Sequence, residues 1–378
     1  MKHFLSIILI MTALVTAGRA SAADFKVTPL GRALFDAAVY APSDSAFRPG
    51  VAIPDVRLGA KISYGDLDGR VEFSYRFGKL YLADMCLQWN INKNSFLKGG
   101  FFIHEFGLQC ATGAAHKISM EEPIAQTAFG ELRLLGAMYV WENAKFHFAG
   151  SLFAQPEASV LHANQLGNTG FGAATRFAWH PVTRPGRIFQ IGLSALGQSP
   201  DYAGNRKNPV TDFAARYPTR VSDVSLARTS IDSTASIFKF SPELLLAHGR
   251  FAAEAQFYYA VVGRRHNLPT FHGTGGYVMG RVLLNRGAKY SYSPSMASLA
   301  NPPAKSWELV AGYSFVDLNS DHARIFGGFA NSANLTLSYY INKYFTWRFN
   351  YTYANRRGTH GLEASHANIF QTRIQFVF

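Results

Sequence analysis

Cationic side chains recur in this sequence within segments where apolar and polar residues alternate. In residues 345–353 every odd position is aromatic and every even position is polar, and Arg348 is one of the polar residues. Ten cations occupy the polar side of such segments: Arg32, Arg57, Lys61, Arg70, Arg76, Lys98, Arg133, Arg176, Arg348 and Arg373. Cationic groups along a water-filled path lower the energy of anions. These residues therefore indicate binding or passage of small anions.

Fewer acids share that polar side. They are Asp36, Glu72, Asp84, Glu254 and Glu308. The cationic excess predicts a preference for anions without naming a solute. The alternative is that these charges only pair with one another along a wall, where an exposed pair contributes about 0–1 kcal/mol.

Residues suited to catalysis or metal binding form no known motif. His147 and Ser151 share one parity, as in a barrel hydrolase, but no G-x-S-x-G segment accompanies them. Cys86 and Cys110 belong to neither a C-x-x-C motif nor a His/Cys ligand cluster. We predict no catalytic residues, no metal and no cofactor. A disulfide between the two cysteines in an oxidising compartment and two separate thiols both remain open.

The first residues have the features of a secretory signal peptide. Lys2 precedes the short apolar stretch 5–17, and Ala20-Ser21-Ala22 has the A-x-A form of a cleavage site. We expect cleavage after Ala22, which divides the chain into a signal peptide, 1–22, and one mature domain, 23–378. Loss of Lys2 and Arg19 lowers the net charge from +13 to +11. Export argues against nucleic acid as the partner of this basic chain.

Alternation along the chain predicts β-strands, because successive side chains of a strand face opposite sides. Charged residues make up only 16% of the chain, below the roughly 25% usual in soluble domains. Sixteen strands are predicted, at 32–41, 56–64, 69–77, 81–89, 96–105, 131–141, 145–153, 171–179, 187–197, 236–248, 251–262, 276–284, 306–316, 334–341, 344–354 and 369–378. A soluble β-sandwich also alternates, so the pattern alone leaves both architectures open.

The lengths of the connections favour a membrane barrel. Long connections fall in alternate positions, as expected for bacterial barrels with short periplasmic turns, long external loops and an even strand number. Segment 285–305 is an exception, since it is long but falls on the periplasmic side. An open sheet edge in lipid would leave backbone groups unpaired, so the sheet must close. The predicted fold is an all-β, transmembrane, up-and-down antiparallel β-barrel of about sixteen strands.

Two sets of loop residues could modulate the channel. The long segment 106–130 is the best candidate for a loop that folds inward and narrows the pore, and it carries Lys117, Glu121 and Glu122. The alternative for both acids is capping or ion pairing, with Arg133 as one partner. The pairs Arg264-Arg265 and Arg356-Arg357 fall in external loops. There they would attract anions, bind lipopolysaccharide, or simply remain solvated.

Four segments in order resemble the phosphate-selective porin O/P family, in a form like that of Bacteroidetes-type bacteria. They are GGFFIHEFGLQ at 99–109, SWELVAGYSFVDL at 306–318, NLTLSYYINKYFTWRFNYTYA at 334–354 and the terminal NIFQTRIQFVF at 368–378. The resemblance implies a sixteen-stranded barrel, a homotrimer, and an arginine-lined path for phosphate or polyphosphate. It implies that Phe378 is the signal read by the barrel-assembly machinery. Arg133 would face the lumen just past the inward-folded third loop, and 285–305 would tuck into the pore.

We therefore predict an integral outer-membrane porin, surrounded by lipid and lipopolysaccharide, for diffusion of small, preferentially anionic solutes, with phosphate as a candidate. Three alternatives remain. One is a barrel plugged by its loops and serving adhesion or structure. The others are a barrel hydrolase and a soluble β-sandwich.

Overall fold

The computed structural model describes residues 25–42, 47–112, 117–130, 133–155, 169–200, 202 and 208–378. The predicted signal peptide lies outside the described residues. Within them there are twenty strands, of which sixteen form one closed antiparallel barrel. The barrel strands are β1 (Lys26–Pro42), β2 (Gly50–Tyr64), β3 (Leu67–Arg76), β4 (Lys79–Asn92), β5 (Ser95–Ile103), β6 (Arg133–Glu142), β7 (Phe146–Ala154), β8 (Phe171–Arg184), β9 (Arg187–Gln198), β12 (Thr234–His248), β13 (Phe251–Arg264), β14 (Phe271–Leu283), β17 (Ser306–Ser320), β18 (Ile325–Tyr340), β19 (Phe345–Arg356) and β20 (Ser365–Val377).

The remaining elements lie within the connections. The long loop after β9 contains the hairpin β10 (Thr211–Arg216) and β11 (Ser225–Ile231), and the connection after β14 contains the short pair β15 (Tyr292–Ser293) and β16 (Ser298–Leu299). Helices α1 (Gly107–Ala111) and α2 (Ile124–Phe129) follow β5. No helix among the described residues is long and apolar enough to cross a membrane.

Strand β19 shows why the sequence folds as a barrel rather than a sandwich. Its aromatic residues, from Phe345 to Tyr353, are exposed, and the polar residues between them are buried. In water this orientation would leave a large apolar surface unburied, at about 25 cal/mol per Å². In lipid it is favourable, since the aromatic face contacts acyl chains and the polar face lies inside.

All sixteen predicted barrel strands are confirmed, but several are longer than predicted at their external ends. Strand β14 begins at Phe271 rather than 276, and β18 begins at Ile325 rather than 334. The added residues include glycines 273 and 275, which interrupt the alternation. Backbone pairing in a closed sheet requires only a neighbouring strand, so it continues where the side-chain pattern ends.

The ends of the chain close the barrel. Strand β1 pairs with β20, and the backbones of Gly31 and Phe378 exchange two hydrogen bonds of 3.0 Å. The Phe378 ring covers Gly31, where an added Cβ would lie only 2.1 Å from a ring carbon. A side chain at position 31 would therefore force the Phe378 ring to move.

Loops fill much of the external half of the lumen. Phe106, Ile124 and Phe129 from the segment between β5 and β6 are fully buried, and they belong to one apolar cluster with Phe213 and Leu226 of the β10–β11 hairpin. The largest apolar core of this barrel therefore lies inside it, between inward-folded loops.

Candidate functional site

A chain of alternating charges runs across the inner face of β1 to β6. In order it contains Arg32, Asp55, Arg57, Glu72, Arg70, Asp84 and Arg133. We call these seven residues the charge ladder. Consecutive antiparallel strands place them side by side, because every second residue of a strand faces the lumen.

Each acid of the ladder bridges two arginines. Asp55 pairs with Arg32 and lies 2.9 Å from Nε of Arg57. Glu72 lies 3.7 Å from Nη1 of Arg57 and 3.1 Å from Nη2 of Arg70. No carboxylate of the ladder is left with a single cation.

The last acid of the ladder, Asp84, joins the two most open arginines. Its oxygens lie 3.2 Å from Nε of Arg70 and 2.8 Å from Nε of Arg133. The side chain of Arg70 is 43% exposed and that of Arg133 is 22% exposed. This end of the ladder is therefore accessible to a solute.

Four guanidinium groups and three carboxylates leave the ladder with one positive charge in excess. Lys98 adds a second beside it, and its ammonium lies 4.6 Å from the centre of the Phe102 ring. Lys61 is more exposed, at 49%, and pairs with Asp68 at 3.3 Å. The guanidinium of Arg76 lies 4.9 Å from the centre of the Tyr81 ring, at the external end of β3.

On β19 and β20, next to the β1 end of the ladder, two predicted pore-lining arginines hold the inward-folded loop instead of facing open water. Arg348 donates to the carbonyl oxygens of Lys117 and Ser119, both at 2.8 Å. Arg373 pairs with Asp36 and Glu121, both at 2.6 Å. Both arginines have the inward direction that alternation predicts, but the loop buries them, so the expectation of an open arginine wall is corrected here.

The acids of this loop have partners other than Arg133. Glu121 pairs with Arg373 and, at 3.2 Å, with Arg220. Glu122 lies 3.2 Å from the ammonium of Lys117. Burial alone would raise the pKa of Glu122, but Lys117 and Arg220 outweigh burial and lower it. The charges of Glu121 and Glu122 are thus balanced by Arg373, Arg220 and Lys117.

Arg176 is also buried, inside a second cluster. Its guanidinium lies 3.0 Å from Glu105 and 2.8 Å from Glu243, and it donates to the carbonyl oxygens of Met296 and Ala297. Burial would raise the pKa of Glu105, but His147 and Arg176 reverse this effect and lower it to about 2. Arg176 therefore joins the loop after β5 to the connection after β14.

The connection 285–305 enters the lumen from the periplasmic end. Tyr290 is fully buried and donates to Glu308 at 2.7 Å, and Glu308 also pairs with Arg281 at 2.6 Å. Thr112, next to α1, lies 3.4 Å from Ser298 through their hydroxyl oxygens. The external and periplasmic insertions thus meet inside the barrel.

Sequence reasoning missed several of these charged residues. Asp55 precedes the predicted start of its strand, although it has the same parity as Arg57 and could have been found once β2 was extended. Glu105 is the last residue of the predicted strand 96–105. Glu243 lies in the predicted strand 236–248, where the alternation is weak. Arg281 has inward parity in β14 and was also missed.

The residues considered for other chemistry have ordinary roles. Cys86 and Cys110 do not form a disulfide. Ser151 donates to the carbonyl of Ala174, while His147 lies 2.9 Å from Glu105. Among the described residues no group of three or more His, Cys, Asp or Glu side chains is arranged to hold a metal.

Comparisons with known proteins agree with this architecture. The family model described as "Phosphate-selective porin O and P" matches residues 44–378. No curated protein matches the chain. The trimer form of OmpT, an outer membrane protein of Vibrio cholerae, superposes with a TM-score of 0.62 at 14% identity, over 94% of this chain and 99% of that one.

Two further solved structures have the same fold. An anion-selective porin from Comamonas acidovorans gives a TM-score of 0.62 at 10% identity, over 94% of this chain and 100% of that one. The outer membrane channel DcaP of Acinetobacter baumannii gives 0.55 at 13% identity, over 96% and 100%. At these identities the likeness concerns the fold.

Proposed function

The chain belongs to the phosphate-selective porin O and P family, and we propose that it passes small anions along the charge ladder, with phosphate among its solutes. It is an integral outer-membrane β-barrel, so passage is passive diffusion through the part of the lumen that its loops leave open. We place the path beside β2 to β6, where Lys61, Arg70, Lys98 and Arg133 have the accessible cationic groups.

The observation that carries this proposal is the cationic excess of the ladder at its accessible end. Two unit charges 4 Å apart interact by about 1 kcal/mol in bulk water and about 4 kcal/mol at an effective dielectric constant of 20. An anion beside Arg70 and Arg133 would therefore be attracted, and a cation would be repelled.

A channel must also release its solute, and the carboxylates that bridge the ladder arginines favour this release. Conduction needs binding strong enough for the solute to enter and weak enough for it to leave. Asp84 already occupies one side of Arg70 and Arg133, so a passing anion competes with a resident carboxylate. A phosphate is well suited to this exchange, because guanidinium groups bind its oxygens through two parallel hydrogen bonds.

Assembly and partners belong to the same proposal. We expect a homotrimer, as in the trimer form of the Vibrio cholerae protein. We expect Phe378 to be read by the barrel-assembly machinery, and its exposed position at the β1–β20 seam is compatible with this. The external arginines remain candidates for lipopolysaccharide contacts.

Planar bilayers test the channel and its preference. Stepwise conductance is expected, and the reversal potential in a KCl gradient should show chloride favoured over potassium. Added phosphate should lower the chloride current in proportion to its occupancy of the ladder. A cation-selective channel would contradict the proposed path.

A non-conducting barrel is the second candidate, and the filled lumen favours it. The loop after β5, the β10–β11 hairpin and segment 285–305 all bury side chains inside. Well-folded protein that never produces conductance steps would support this alternative.

A further inference from the structure

The periplasmic turns have an unusual excess of exposed cations. Lys93, Lys145, Arg184, Arg187, Arg250, Arg286, Lys289, Lys305 and Lys343 are all exposed there. Asp66 is the one acid of the exposed class in the same turns, all of which the structure describes. At the external end, by contrast, arginines have acidic partners, as in the pairs Arg216–Asp223, Arg228–Asp212 and Arg264–Asp232. The periplasmic cations therefore lack the acidic partners that these three external arginines have.

Two of these arginines and His248 stand in one row across neighbouring strands. Arg184 of β8 is directly opposite Arg187 of β9, and Arg187 is directly opposite His248 of β12. All three point out of the barrel, since Ile188 and Ala247 beside them are buried inside. Like charges directly opposite each other destabilise a sheet, with cross-strand pairs contributing about 0.2–1 kcal/mol.

The turns below this row are joined by their backbones. The Gly186 N–H donates to the Tyr290 carbonyl and the Gly249 N–H donates to the Gly186 carbonyl, both at 2.8 Å. Lys289 lies against Gly186, with its Cδ 3.1 Å from where a Cβ would be. Arg250 follows Gly249 and completes the group. Among the described residues none of these cations has a carboxylate within ion-pairing distance.

An apolar row lies one step further into the membrane on the same outward face. Val182, Phe189 and Leu246 are two residues from Arg184, Arg187 and His248, and they are paired with one another across the same strands. The ring of Trp179 lies beside that of Phe189, at 6.0 Å between centres. On this part of the outer surface, cationic residues lie at the periplasmic turns and apolar residues lie next to them, further into the membrane.

We propose that this surface is a binding site for an anionic phospholipid of the periplasmic leaflet. The phosphate group would lie between Arg184 and Arg187, where it would offset their repulsion, with Arg250 and Lys289 beside it. An acyl chain would run along Val182, Phe189 and Leu246. Charge complementarity selects an anionic headgroup, and the apolar row selects a lipid over a soluble anion.

The test uses the complete barrel, refolded in detergent micelles that contain equal amounts of phosphatidylglycerol and phosphatidylcholine. Native mass spectrometry counts the lipids that remain bound. We expect phosphatidylglycerol to be retained about five-fold over phosphatidylcholine, a difference of about 1 kcal/mol. The variant Arg184→Gln/Arg187→Gln should reduce this preference to near one. Both positions are exposed in a turn, so the barrel is expected to form.

The matched control is Lys93→Gln/Lys145→Gln, which removes two exposed cations from other periplasmic turns. This control should keep the full preference. Equal loss in both variants would mean that only diffuse charge acts, and equal retention of both lipids by the unmodified barrel would overturn the site. Glycerol phosphate serves as a headgroup without chains. If it displaced the lipid at matched concentration, the apolar row would contribute nothing and the lipid assignment would be wrong.

Discussion

Arginines on two sides of the inner wall have different roles. Beside β2 to β6, Arg70 and Arg133 share Asp84 and stay partly exposed. On the strands that flank this region, Arg176 of β8, Arg348 of β19 and Arg373 of β20 are buried and hold inserted loops. The difference is whether a loop covers the arginine. An arginine must thus point inward to line the pore, but an arginine that points inward can still be buried by a loop.

The largest expected effect is at Arg176. Replacing it with alanine leaves Glu243 buried without its cation and Glu105 with His147 alone, and breaking a buried pair in this way costs about 3–5 kcal/mol. The free energy of unfolding in urea, followed by tryptophan fluorescence in lipid vesicles, measures the loss. Arg70→Ala is the control, for which exposure predicts a loss below about 1 kcal/mol. Similar losses in the two variants would remove the distinction between the two sides.

Ion selectivity, unlike stability, should depend on the exposed arginines and not on the buried ones. The double variant Arg70→Glu/Arg133→Glu reverses two accessible charges, and at about 1 kcal/mol for each close charge in water the anion-to-cation permeability ratio should fall by roughly ten-fold or more. The reversal potential in a KCl gradient measures this ratio. Lys93→Glu/Lys145→Glu makes the same charge change in the periplasmic turns and should alter it far less. An unchanged ratio in the first variant would place the path elsewhere.

Low pH should destabilise the part of the barrel that is filled by inserted loops, because it protonates Glu105. The pKa of Glu105 is lowered from 4.5 to about 2 in the folded barrel, so its contribution to stability is present above pH 4.5 and is lost as the pH falls toward 2. The free energy of unfolding should decrease over this window. Glu105→Gln should show a shallower decrease, and an identical slope would mean that this carboxyl group is not responsible.

The smallest effect is expected at Lys61. Its side chain is 49% exposed and pairs with Asp68, so Lys61→Gln should change single-channel conductance by less than about two-fold, because solvent screens exposed charges. A larger change would show that the narrowest part of the path lies beside Lys61, which is directly opposite Arg70 on the neighbouring strand.

Much of the fold could be predicted because lipid imposes a two-residue rhythm on every strand that crosses it. Strand β19 shows this rhythm in every residue pair from Phe345 to Thr352. The Gly-rich start of β14 could not be predicted from the pattern, since glycines have no side chain to mark a face. The hairpin β10–β11 also escaped prediction, because its apolar residues follow its contacts with α2 and with the inner face of β18 instead of a two-residue alternation.

The sequence by itself determined the barrel, its strand number and the direction of Arg32, Arg57, Arg70 and Arg133, because alternation is a local property of neighbouring residues. Only the tertiary structure decided which inward arginines stay accessible. That outcome depends on contacts between residues far apart in the chain, such as Arg348 with Lys117 and Arg176 with Ala297. Loop docking is set by buried ion pairs and apolar contacts across the lumen, and no periodicity in the sequence records them.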